Sequence, residues 1–247
     1  MIKGEEGLDK AYDDTVNRIE SQGQGIRELA KNVLFWIVHA KRPLTTEELR
    51  HALAVEAGTC RLDERNLCPV EDMLSSCAGL VVVDSNIIRL VHYTTQEYFQ
   101  RLGLKSSEDI QRDIIATSCL TYLLYDEFAE GYLEESERLR SHLRHSPFFE
   151  YAAENWPYHI EDTRQSIGDL ALKFLMDDER VSASSQVIFQ YAPQQFCGMH
   201  LQVVAYFGLN DIVVRLLEPD AKDSLGYLIN QTLRAKFGIS FVEVRYD

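Results

Sequence analysis

Leu80-Val-Val-Val-Asp-Ser-Asn-Ile-Ile-Arg-Leu-Val-His-Tyr-Thr-Thr-Gln-Glu-Tyr-Phe99 is where the chain's periodicity changes twice. Two β-branched runs, residues 80–84 and 87–92, are separated by Ser85-Asn86, the spacing of a two-residue hairpin. Thr94-x-x-Glu97 then reads as a capping box, in which side chains satisfy the free N–H groups opening a helix. Tyr98, Phe99 and Leu102 supply that helix with its apolar side.

The residues before the hairpin read as helices. Ile26, Leu29, Ala30, Val33, Leu34, Ile37 and Val38 recur with the period of a core-facing stripe, and Pro43 stops them. Thr45-x-x-Glu48 forms another capping box, opening a short helix through Leu53. A third helix is expected from Pro69, with Val70, Met73, Leu74 and Cys77 inward and Gly79 at its end. Three helices, a hairpin and a closing helix make a winged helix over residues 25–104. Ahead of it, Leu8, Ala11, Tyr12, Thr15 and Ile19 share one face of a linker helix in residues 1–24, broken at Gly23 and Gly25.

Downstream, residues 105–194 read as a helical array. Ile115, Cys119, Tyr122 and Leu123 form one stripe, and Pro147 opens a segment carrying Phe149, Ala152, Ala153 and Trp156 on one face up to Pro157. Leu170, Phe174 and Leu175, then Val187, Ile188 and Tyr191, give two more short helices. Ala205-Tyr-Phe-Gly-Leu209 recurs as Ala235-Lys-Phe-Gly-Ile239, a shift of 30 residues. Each glycine suits the left-handed turn after a helix, and Ile212, Val213, Leu216 and Leu217 give the next helix an apolar side. The fold class is therefore mainly α: a winged helix with a hairpin wing, a helical array, and a partial solenoid over residues 195–247.

These segments resemble the fungal STAND proteins that join a NACHT nucleotide-binding domain to ankyrin repeats. Residues 80–99 resemble their winged-helix hairpin and following helix, a domain named after GPI inositol-deacylase. Phe148-Phe-Glu-Tyr-Ala-Ala-Glu-Asn-Trp156 resembles the next helical stretch, and Gly4-Glu-Glu-Gly-Leu-Asp-Lys-Ala-Tyr12 the linker leaving the NACHT domain. The last 53 residues are similar to about one and a half degenerate ankyrin repeats, spaced 30 residues apart against roughly 33. So few repeats do not make a stable solenoid, and little hydrogen-exchange protection is expected beyond Gly226.

Charge and motif content narrow the chemistry. The chain carries 25 Lys+Arg against 39 Asp+Glu, a net charge of −14, which opposes nucleic acid and anionic membrane as partners. Between Thr45 and Arg101, five arginines face nine carboxylates, and the candidate recognition helix carries Glu71 and Asp72 without a base. DNA binding needs cations there, so that alternative is set aside. No apolar run approaches a membrane span, and the N-terminus has no apolar signal core, so a cytoplasmic protein is expected.

No G-x-x-x-x-G-K-[ST] phosphate loop occurs; Gly23-Gln-Gly25 reads as linker. The G-x-S-x-G elbow is also absent, so the deacylase name transfers no deacylase activity. Cys60, Cys68, Cys77, Cys119 and Cys197 lack zinc spacing and read as free thiols, with Cys77 and Cys119 buried. His142 and His145 lie beside Arg138, Arg140 and Arg144 and read as a solvated basic face. The acidic run from Asp126 to Glu137 lacks calcium-loop spacing.

The expectation is thus a non-enzymatic interaction and regulatory module without catalytic residues, metal or cofactor. Its partner would be a NACHT domain or an ankyrin-bound protein, met through Tyr93, Tyr98, His200, Tyr206, Asn210 and Asp211. An auxiliary subunit completing an NTPase or hydrolase in trans is the enzymatic alternative.

Overall fold

Two consecutive residues with positive φ, Ser85 at 50° and Asn86 at 68°, turn the expected hairpin as a type I′ turn. The turn joins β2 (Val81–Asp84) to β3 (Ile87–Leu90), in antiparallel register from Val81 opposite Leu90 to Asp84 opposite Ile87. The computed structural model describes residues 3–102, 108–133, 136–160 and 165–189, with Val203, Phe207 and Leu209. Hydrogen bonds, burial and packing below concern these residues.

The sheet contains a strand that periodicity could not reveal. β1 (Leu44–Thr45) has only two residues and pairs with β3, giving the order β1-β3-β2. Asn86 locks this corner: its carbonyl accepts from Thr46 N–H, and its Oδ1 accepts from the Thr46 hydroxyl at 2.6 Å.

The winged helix is completed by α2 (Gln24–His39), α3 (Thr46–Ala54), α4 (Val70–Ser76) and α5 (Tyr93–Leu102). The capping box on α3 forms as expected: Thr45 Oγ1 accepts from Glu48 N–H, and Glu48 Oε2 accepts from Thr45 N–H at 2.7 Å. The one expected on α5 does not serve as a cap. The helix begins at Tyr93, which puts Thr94 inside it, and the Thr94 hydroxyl pairs with Tyr12 at 2.7 Å.

That pairing belongs to a strap between α5 and α1 (Lys3–Glu20). The Tyr12 and Tyr98 rings meet at 5.1 Å, Tyr98 donates to Asp13 at 2.6 Å, and Arg101 pairs with Asp9. The linker helix is therefore fastened to the winged helix through α5. Tyr12, Thr15 and Ile19 face inward as expected, while Ala11 is exposed. Gly25 falls within α2, so the break between the helices lies at residues 21–23.

The array consists of α6 (Glu108–Leu123), α7 (Ser136–His145), α8 (Phe148–Asn155), α9 (Gln165–Leu175) and α10 (Asp178–Phe189). It shares one continuous apolar cluster with the winged helix. Helix α2 shows why. Its stripe buries Ala30, Val33, Leu34 and Val38 as expected, but Phe35 and Trp36 are buried too, and Ile26 at the helix start is exposed. Trp36 meets Phe148 and Tyr151 of α8 edge-on at 5.5 and 6.2 Å. The same seam holds His51 Nδ1 2.9 Å from Tyr122 Oη, and Lys41 N–H donating to Tyr151 Oη at 3.0 Å.

Candidate interaction groove

The loop between α2 and β1, the second half of β3 and the first turn of α5 enclose an open groove of about 380 Å³. Local sequence builds each wall. Pro43 has no N–H to extend the ladder, and β1 pairs only with Ile87 and Ile88, so β3 runs past it to Arg89 and Leu90 without a strand on that side. The gap beside those residues is the groove. Ile37, Ala40 and Pro43 give it an accessible apolar floor above the buried Leu44, Ile88 and Leu90, and Lys41, Arg42, Arg89, His92 and Tyr93 stand along its sides.

Its polar groups are all cationic or neutral, against the sign of the chain as a whole. Arg42 is held from outside the groove, reaching Glu48 through two bonds of 3.1 and 2.7 Å, with its guanidinium 5.1 Å above the Tyr151 ring. Arg89 pairs with Asp84 at 3.1 Å across an exposed bridge, which contributes about 1 kcal/mol or less. Among the described residues, neither the Lys41 ammonium nor the His92 ring has a carboxylate partner.

The structure separates the expected surface residues. Tyr93 is 76% exposed at the groove's edge and is available to a partner. Tyr98, 4% exposed, faces the opposite way and is consumed by the strap to α1, so it is an internal contact. Five positions beyond Tyr93, it lies about 140° further round the helix, on the apolar side that it shares with Phe99, and its strap partner lies 85 residues earlier. His200, Tyr206, Asn210 and Asp211 lie outside the described residues, as do the expected packing and exchange behaviour beyond Gly226. Within the same C-terminal segment, Val203 is fully buried and the Phe207 ring meets Tyr158 edge-on at 5.5 Å.

Sequence reasoning missed Lys41, Arg42, Arg89 and His92. They come from three segments up to about fifty positions apart, and their only shared sign was a local lack of acid around Lys41 and Arg42.

Other candidate chemistry is spent internally. Asp126 pairs with Arg180, Glu130 with Arg138, and Glu127 accepts from the Ser146 hydroxyl, its carboxyl pushed above the usual range by burial. The His142 ring lies 5.3 Å from Phe128, and His145 bonds the Ser141 carbonyl, so these histidines do not converge on a ligand. Burial raises the Cys77 thiol to about 12 and Cys119 further still. Among the described residues no cluster of metal-ligating side chains occurs, and no helix is long and apolar enough to cross a membrane. Glu71 and Asp72 on α4 are both exposed, so the helix that would read a DNA groove presents carboxylates.

Comparison with known proteins agrees with the fold. Residues 18–111 match the family model of the GPI inositol-deacylase winged helix domain. No curated protein and no solved structure matches the chain.

Proposed function

We propose that the chain is a non-enzymatic protein–protein interaction and regulatory module of the NACHT–ankyrin type. The observation that carries this reading is the groove at Tyr93, with an apolar floor, cationic sides and an exposed aromatic edge. Such a mixture suits a protein surface. The family match over residues 18–111 supports the same reading, because winged helices of this type resemble those that pack against a nucleotide-binding domain. The acidic α4 opposes the DNA-binding alternative, since a duplex would bring phosphates against Glu71 and Asp72.

Mechanistically, the module holds its partner by docking. The seam through Trp36, His51, Lys41 and Tyr151 joins the winged helix to the array, so a domain seated on the groove is carried with the array rather than on a hinged arm.

The test is reconstitution with recombinant NACHT domains from proteins of this architecture, read by light scattering and by nucleotide turnover. A one-to-one complex with slowed turnover is expected. Failure to form a complex with any of them would sink the proposal. Tight ATP binding by the lone chain in calorimetry would instead favour a subunit completing an NTPase in trans.

A further inference from the structure

The groove's lining restricts its occupant more narrowly than the reading above, on which this inference rests. We infer that it takes an amphipathic acidic segment of a protein partner, one that alternates apolar and carboxylate side chains.

Three observations lead there. Lys41 has no carboxylate partner among the described residues, and Arg89 is held by a 3.4 Å bond to the Leu90 carbonyl and an exposed bridge to Asp84 that an incoming carboxylate can replace. Ile37, Ala40 and Pro43 offer an apolar floor that an inorganic anion would leave unfilled. The groove's cationic character is also local. Glu150 and Glu154 act on Arg42 from beyond the lining, so an extended polyanion leaving the groove would meet carboxylates. A short segment fits within those bounds; a nucleic-acid strand does not.

The pieces have distinct roles in docking. The floor takes the apolar side chains, and Tyr93, exposed at the edge, packs along the segment as its aromatic anchor. Lys41 and Arg89 meet the alternating carboxylates. Arg42 is committed to Glu48 and to the Tyr151 ring, so it shapes the wall and contributes little free charge.

Fluorescence anisotropy with the full chain tests this, using a labelled peptide alternating leucine and glutamate and its leucine–glutamine counterpart. At low salt, about 50 mM, where exposed charges are least screened, the glutamate peptide is expected to bind on the order of tenfold more tightly. Lys41→Glu and Arg89→Glu should each weaken it roughly fivefold, with the glutamine peptide unaffected and thermal melting unchanged, because both side chains are exposed. Tyr93→Ala should weaken both peptides.

Equal binding of the two peptides, or indifference to both charge reversals, would overturn the inference. So would displacement of the peptide by tripolyphosphate at equal or lower concentration, which would make this a phosphate site. A dimer of the chain lost on Lys41→Glu would assign the groove to a second copy. A NACHT complex that survives both reversals would remove the acidic segment while leaving the interaction module standing; no complex in the unmutated chain would remove the module itself.

Discussion

Replacing Tyr151 with Phe removes one oxygen from the centre of the seam and nothing else. Lys41 N–H donates to Tyr151 Oη at 3.0 Å, and the same oxygen lies 3.0 Å from His159 Nε2. Burial pushes the His159 pKa down to about 3, so the ring is neutral at ordinary pH and its tautomer sets the direction of its bond with the phenol. The substitution therefore takes a partner from a part-buried backbone N–H and from a buried ring nitrogen. At about 1–1.5 kcal/mol net for each lost bond, the expected destabilisation is roughly 2–3 kcal/mol. For a chain of this size that lowers Tm by roughly 4–12 °C. The Phe148 stacking and the Arg42 contact use the ring, which remains.

Urea unfolding near neutral pH is the assay. The chain has two tryptophans, Trp36 on the winged-helix side of the seam and Trp156 on the array side. Trp36→Phe and Trp156→Phe backgrounds therefore report each half separately. Both midpoints should fall together on Tyr151→Phe. A loss below about 0.5 kcal/mol, within the range of an inconsequential surface change, would refute the seam as an energetic link. Movement of only one tryptophan's transition would refute the view that the halves unfold as one unit.

Further outcomes follow from the same contacts. His159 is depressed in the folded state, so stability is fully present above the unfolded value of 6.5 and is lost as pH falls toward about 3, by about 1.4 kcal/mol per pH unit. Urea midpoints measured from neutral to mildly acidic pH should show that slope, and His159→Gln should flatten it. Glu48→Ala removes the α3 capping box and both Arg42 bonds, and should cost about 2–4 kcal/mol by chemical denaturation. Trp36→Ala opens a cavity shared by both halves and should cost about 3–5 kcal/mol or abolish cooperative unfolding. Iodoacetamide with mass-spectrometric readout should label exposed Cys60 in the native chain while Cys77 and Cys119 stay unmodified until urea is added.

Several features were legible because their causes are local. Ser85-Asn86 between two β-branched runs can turn tightly, and Thr45-x-x-Glu48 closes on itself within one helical turn. Thr94-x-x-Glu97 has the same local pattern, yet Thr94 lies inside α5 and its hydroxyl pairs with Tyr12, 82 positions away. Phe35 and Trp36 lie beside the α2 stripe, yet both are buried, and Trp36 packs against Phe148 and Tyr151 of the array. The two residues of β1 are too few for any period to show.

Among the candidate site residues, Tyr93 and Tyr98 are five positions apart, so helix periodicity puts them on different faces; only packing decides that Tyr98 meets α1. The residues of this chain specify its helices, its hairpin wing and its overall negative charge, since each depends on neighbours a few positions apart or on a simple sum. Tertiary packing specifies the seam that joins winged helix to array and the cationic groove that departs from the chain's own sign. Both require side chains from distant segments to meet, and no local pattern encodes which distant surfaces will come together.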